Sequence, residues 1–386
     1  MPRFRSVLLP ALALIGCTAY DGDGDAAQPK AAAGEPPFEV EAIGQYNEPW
    51  AMTFLPGGRQ ALITEKSGAL KLWTVGGGAV DVAGVPAVDY GGQGGLGDVI
   101  LHPEFAANHI VYLSWAEAGE GGVRGAAVGR ARLVTEGGAP RLEGLQVIWR
   151  QVPKMRGRGH YGHRLAFSPD GRHLFISSGE RQEFTPAQDM NSNAGKVLRL
   201  NPDGSVPTDN PFAERGGVTA QIWTLGHRNP LGLAFGPDGR LWEVEMGPEG
   251  GDEMNLIERG RNYGYPIVSN GDHYDGRPIP DHDTRPEFEA PKAWWTPVIS
   301  PGDMIVYSGS LFPQWRGDAL IGGLSGEALI HVDIDGTNAR EAQRWPMGRR
   351  MREIEQHPDG SIYMLEDQNE AGGGRLLRLV PRRREG

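Results

Sequence analysis

Short apolar runs separated by Gly- and Pro-rich turns set the pattern of this chain. Ala61-Leu62-Ile63, Ile110-Val111-Tyr112-Leu113, Ala319-Leu320-Ile321 and Ile362-Tyr363-Met364 are such runs, and each follows a Pro-containing turn. The turns are Leu55-Pro56-Gly57-Gly58, His102-Pro103, Phe312-Pro313 and His357-Pro358-Asp359-Gly360, and two more read Phe167-Ser168-Pro169-Asp170-Gly171-Arg172 and Phe235-Gly236-Pro237-Asp238-Gly239-Arg240. Pro-Asp-Gly suits a tight reversal between antiparallel strands, with Gly at positive φ. Six copies recur at roughly 45 to 75 residues, the spacing of propeller blades with inserted loops. The pattern predicts an all-β chain, a six-bladed β-propeller, with ligand sites in loops converging on the axis at one face. A pair of β-sandwiches would not require so regular a turn.

The chain has 386 residues and a net charge of −11, which argues against a nucleic-acid partner because phosphate binding needs clustered Lys and Arg. Arg3 and Arg5 precede an apolar run, Val7 to Ile15, too short to span a bilayer, and it ends Leu14-Ile15-Gly16-Cys17. Residues 1–17 therefore read as a leader resembling the bacterial lipobox. Cys17, the only cysteine, would be lipidated, which implies export to the periplasmic side, and Thr18 rather than Asp after it implies, by resemblance to enterobacterial lipoproteins, an outer-membrane anchor. Losing Arg3 and Arg5 with that leader takes the charge to −13. Residues 18–37 read as a flexible tether and 38–386 as one propeller domain.

Several loops could carry chemistry. The stretch from Gly226 to Tyr274 gathers Arg228, Asn229, Gly-Pro carbonyls, carboxylates and tyrosines in one turn-rich region, a candidate cofactor and calcium floor. His160 in His-Tyr-Gly-His-Arg offers a base near neutral pH, although a loop histidine is by itself more often a surface residue. Gln93 lies in a glycine run lacking the Lys-Ser/Thr of a phosphate loop, and could present an amide to a planar ligand. Arg350 and Arg352 fall on one side of a strand, and like charges so placed suit a bound polycarboxylate or a solvated basic edge.

Taken in order, Gly-Gln-Gly-Gly-Leu, His-Tyr-Gly-His-Arg, Gly-His-Arg-Asn-Pro-Leu-Gly, Gly-Pro-Glu-Gly-Gly-Asp-Glu-Met-Asn, Asn-Tyr-Gly-Tyr-Pro and Arg-Arg-Met-Arg resemble the soluble aldose sugar dehydrogenases. These belong to the pyrroloquinoline quinone (PQQ)-dependent glucose dehydrogenase type, and the resemblance runs from about Phe38 to Leu379. It implies oxidation of the anomeric hydroxyl of an aldose to a lactone, with His160 as base, hydride passing to PQQ and Arg228 adding positive charge. It implies PQQ contacts from Gln93, Arg228, Asn229, Tyr274, Gly323, Ser325, Arg350 and Arg352. The Gly247 and Pro248 carbonyls would hold a calcium ion at the quinone, and Glu253 with the Tyr263 carbonyl a second, structural one. No Cys-x-x-Cys-His haem motif is present, so electrons would leave to an external acceptor. A monomer or homodimer is expected.

The chain departs from the family pattern at two positions. His163 replaces a glycine and adds bulk beside the base, and Ser325 stands where a PQQ-pairing lysine is expected. Two other functions fit parts of the sequence. A calcium-dependent propeller lactonase would need side-chain carboxylates converging on the axis, and a cofactor-free surface lipoprotein would bind a sugar or partner without turnover.

Overall fold

A computed structural model describes residues 35–367 and 373–382. The expected leader, Cys17 and most of the expected tether lie outside the described residues. Six antiparallel four-stranded sheets and one two-stranded pairing, Glu249–Gly250 with Gly271–Asp272, account for the strands of the described residues; five of the six are meanders, and the first strands of all six pack against one another in a closed ring around an axis. Those inner strands are Pro49–Phe54, Leu96–Leu101, Gly162–Phe167, Pro230–Phe235, Pro301–Val306 and Met351–Gln356, in blades one to six. The six-bladed propeller expected from the turns is the architecture observed.

Every one of the six turns joins an inner strand to the second strand of its blade. Gly171, Gly239 and Gly360 take φ of 70°, 80° and 89°, and each donates its N–H three residues back, to Ser168, Gly236 and His357. Asp170, Asp238 and Asp359 accept the N–H two residues on, from Arg172, Arg240 and Ser361. Aspartate and glycine together fix the reversal, so the repeat is visible in sequence.

At the opposite end, each inner strand begins with a β-bulge. Register shifts fall between Pro49 and Ala51, Leu96 and Val99, Gly162 and Leu165, Pro230 and Gly232, Pro301 and Asp303, and Met351 and Glu353. A bulge bends its strand and frees backbone groups from the ladder. Buried side chains from neighbouring blades take up many of those groups. Thr64 donates to Gly97, Asp98 accepts from Leu165, Ser177 donates to Pro230, Asp252 accepts from Ile299 and Ser300, Asp303 accepts from Ile354, and Glu353 accepts from Met52. Each blade is thus tied to the next at the bulges.

Phe38–Tyr46 closes the ring as the outer strand of blade six, paired antiparallel with Gly374–Pro381 from Phe38↔Pro381 to Tyr46↔Gly374. Joining the two ends of the chain in one sheet keeps the ring from opening between its first and last blades.

Candidate active site

The bulged ends of the inner strands surround a cavity of about 270 Å³, walled by Trp50, Lys66, Gln93, His163, Asn229, Met246, Ser300, Arg350, Arg352 and Asp367 among others. Its floor is a stack. The His163 ring lies on Trp50 with centroids 4.9 Å apart, and the Arg164 guanidinium sits 4.1 Å from the Trp50 ring centroid. The His163 Nδ1 lies 2.7 Å from the Ser114 hydroxyl, and burial followed by the charge of Arg164 pushes the imidazole down to about 3, so it is neutral. A Cβ on Gly97 would fall 1.9 Å from the His163 ring, so Gly97 makes the room that His163 occupies. The bulk expected beside the base is directed into this floor.

His160 is buried on the chain segment entering blade three. Its backbone N–H donates to Gln93 Oε1 at 2.7 Å, and its Nδ1 lies 2.5 Å from Glu180 Oε1. Glu180 is fully buried two residues past the second strand of the same blade, Leu174–Ser178, and also accepts the N–H groups of Gln182 and Phe184. Burial would raise the Glu180 carboxyl, but its bond to the imidazole holds it below the ordinary range. Burial lowers the His160 imidazole, and the Glu180 hydrogen bond opposes that. A carboxylate on Nδ1 fixes ring and tautomer and leaves Nε2 to take a proton, the arrangement of a general base.

Backbone strain concentrates around this pair. His160, His163, Arg181, Gln182 and Phe184 all have φ between 46° and 67°. Left-handed backbone in such residues costs on the order of 1 kcal/mol each and persists where surrounding structure imposes it. Arg181 does so here. Fully buried, it donates to the carbonyls of Gly159, Arg124 and Gly157, and its guanidinium lies 3.8 Å from the Tyr161 ring centroid.

Arg228 and Asn229 immediately precede the inner strand of blade four. The Asn229 Oδ1 accepts the Gly162 N–H at 3.2 Å, and the Arg228 Nη1 donates to the Met246 and Gly247 carbonyls at 3.0 and 2.5 Å. Arg228 Nε is buried without a partner, and the exposed Tyr274 ring lies 5.8 Å from the guanidinium carbon. The loop carrying Gly247 and Pro248 is pinned by Asp252, which accepts from Gly247, Ile299 and Ser300 and is pushed up to about 7 by burial.

Across the cavity, Arg350 Nε and Arg352 Nη2 lie 3.0 and 3.2 Å from Asp367 Oδ2. The anion that two adjacent guanidinium groups require is therefore supplied, at least in part, by the chain. Ser325 is exposed and bonds Ser300 Oγ at 2.7 Å, and Gly323 lies inside blade five, where a Cβ would meet Ile330 at 2.9 Å. Neither walls the cavity; Ser300 and Leu324 do.

Glu253 belongs to a second, fully interior cluster. The Asn255 amide nitrogen lies 3.0, 3.3 and 3.2 Å from carboxylate oxygens of Glu243, Glu245 and Glu253, and His227 Nδ1 is 3.1 Å from Glu245. Burial, then the charge of Glu245, drives Glu243 and Glu253 well above the ordinary carboxylate range. Glu243 Oε1 and Asn255 Oδ1 are buried oxygens without a partner, and the Tyr263 carbonyl faces His282 Nε2 at 3.1 Å. Hard oxygens gathered out of water fit a calcium-type cation. His227, Glu243 and Glu245 come close enough to share one ion.

Sequence reasoning missed Glu180, Asp367, Lys66, Glu243 and Glu245. One signal for the last pair was available: charged residues at alternate positions of an otherwise apolar strand share a face.

Residues 46–378 match the model of the glucose/sorbosone dehydrogenase family. The chain is 38% identical over 344 residues to the aldose sugar dehydrogenase YliI of Escherichia coli, an alignment spanning 87% of this chain and 91% of that protein. The apo form of the soluble aldose sugar dehydrogenase from Escherichia coli superposes with a TM-score of 0.83 at 38% identity, covering 89% of this chain and all of that one. The PQQ-bound aldose sugar dehydrogenase of Streptomyces coelicolor gives a TM-score of 0.73 at 26% identity, covering 90% and 99%. With the bulged strand ends, the His160–Glu180 pair and this match over nearly the whole propeller, the chain belongs to the glucose/sorbosone dehydrogenase family of sugar oxidoreductases.

Proposed function

We propose that this protein is a PQQ- and calcium-dependent dehydrogenase that oxidises the anomeric hydroxyl of aldoses to lactones. The observation carrying the proposal is the buried His160–Glu180 pair, tied through Gln93 to a cavity walled by amide and guanidinium groups. That donor set fits a planar polycarboxylate, because Arg pairs bidentately with carboxylates and the buried Arg228 Nε has a hydrogen bond to give. Gln93, Arg228, Asn229, Tyr274, Arg350 and Arg352 would hold PQQ. The Gly247 and Pro248 carbonyls would hold calcium beside it, and the Glu253–Tyr263 cluster a structural calcium.

Bound PQQ supplies the two-electron acceptor for the hydride that leaves the anomeric carbon. His160 Nε2 takes the hydroxyl proton, and Glu180 stabilises the imidazolium that results. Arg228, held by the Met246 carbonyl, would place positive charge where negative charge develops. The relatives named aldose sugar dehydrogenase support the sugar class.

Carboxylates do converge on the axis, as a lactonase would need. However, Asp98, Asp303 and Glu353 are engaged by Arg164 and strand amides rather than left for an ion. Dye-linked oxidation of a panel of aldoses, with and without PQQ and Ca²⁺, tests the reading. Activity that needs both additions is expected, and absence of PQQ-dependent oxidation of any aldose overturns it.

A further inference from the structure

We infer that Lys66 is a further cationic ligand for the carboxylates of the cofactor, beside Arg350 and Arg352, reached from blade one and parked on Glu48 when those carboxylates are absent. The inference rests on the PQQ reading above and assigns that site one further residue.

Lys66 lies in the turn between the second and third strands of blade one and forms part of the cavity wall together with Arg350 and Arg352 of the adjoining blade six. Its backbone is fixed at both ends, the N–H donating to the Glu48 carbonyl and the C=O accepting from Leu96, each at 2.9 Å. The close approach of Gly95, where a Cβ would fall 2.0 Å from the Lys66 oxygen, holds the turn against the entry to blade two. Position is thus imposed on the backbone, while the side chain keeps its reach.

The charge count explains the need. Arg350 and Arg352 share one carboxylate, Asp367, which bonds both and is held below its ordinary range by them against its burial. Part of their charge is therefore committed before any ligand arrives. A ligand with several carboxylates needs more cation than that pair offers, and Ser325, on the nearby blade-five loop, offers none.

Lys66 has charge that can be released. Its ammonium lies 3.2 Å from Glu48 Oε1, and both side chains remain partly exposed at 20% and 28%. An ion pair so exposed contributes little and exchanges partners readily. Glu48 keeps a second partner in the Tyr90 hydroxyl, so it is not stranded when Lys66 turns to a ligand. A lysine, a compact charge on a flexible stem, suits such a reach better than a planar guanidinium.

Equilibrium titration of the calcium-loaded apoprotein with PQQ, followed by the absorbance of bound quinone, tests this with two variants. Lys66→Met should raise the Kd about tenfold or more, a loss of about 1.4 kcal/mol. Glu48→Gln should lower it, because Lys66 is released from its competitor. Thermal melts without PQQ should leave both variants close to the parent. Equal PQQ affinity in Lys66→Met and parent overturns the role of Lys66 alone. A parent that binds no PQQ overturns the functional reading and this inference with it.

Discussion

The six inner strands have two ends, and these differ in charge and in purpose. At the bulged end, Gln93, Asn229, Lys66, Arg350 and Arg352 present donors and cations to an open cavity, with His160 bonded to Gln93 of that wall and Arg228 next to Asn229 in the chain. Past the Trp50–His163 floor, the same strands line another cavity of about 260 Å³ with Asp98, Asp303, Glu353 and Glu355 around one cation, Arg164. Arg164 lies 2.6 Å from Glu353 and within 3.5 Å of Asp98 and Asp303, and donates to the Leu231 and Gly302 carbonyls. Burial nonetheless raises Asp98, takes Asp303 to about 6 and takes Glu355 to about 8. Buried charge at the waist is spent on joining blades, whereas charge at the bulged end faces a space where a ligand can meet it. Neither proximity to the axis nor a place at a bulge therefore marks a catalytic group, since Asp98, Arg164, Asp303 and Glu353 sit at bulges too; access to the cavity does.

The sharpest way to break this contrast is Arg164→Met. It strands three buried carboxylates and two carbonyls, and should cost about 3–5 kcal/mol of stability. Denaturant unfolding checks it, and a variant as stable as the parent would show that the waist does not hold the ring. His160→Gln should lower kcat by about 10²–10⁴-fold with bound quinone and melting temperature retained. Loss of quinone binding would instead make His160 a structural residue.

Glu180→Gln sharpens the base assignment through pH. Burial lowers the His160 imidazole and Glu180 opposes that, so removing the carboxylate lets it fall further. The acid limb of kcat/KM should move to lower pH while the plateau falls. A limb that moves up, or stays, contradicts the pairing.

The effect on turnover should be smallest at Glu355, in the far cavity. The Glu355 carboxyl is raised in the folded chain, so its contribution is fully present below its unfolded value and is lost as pH rises through about 8. Glu355→Gln should flatten the fall of stability with pH across that interval and leave turnover unchanged. Altered turnover would mean that the two cavities communicate.

The propeller was legible because its repeat is local: a proline, an aspartate that accepts two residues on and a glycine at positive φ. Much of the site was legible through ordered motifs, four of which lie where an inner strand begins, while Gly247–Asn255 and Asn262–Pro266 lie in the later loops and strand of blade four. What escaped were partners brought together by the pairing of strands within a blade. Glu180 meets His160 across a strand pair, and Asp367 meets Arg350 and Arg352 across the last blade. Nothing in the spacing of these residues pairs them. Seen from sequence alone, the two arginines called for an external anion; the fold shows that an internal one already stands between them.

The central claim is that aldose electrons arrive at a quinone held at the bulged end. Its most direct test is anaerobic addition of an aldose to the protein reconstituted with PQQ and Ca²⁺, recording the quinone absorbance. The account predicts reduction of the bound quinone in proportion to protein, abolished or slowed by about 10²-fold or more in His160→Gln. Bound quinone that stays oxidised with every aldose would contradict it.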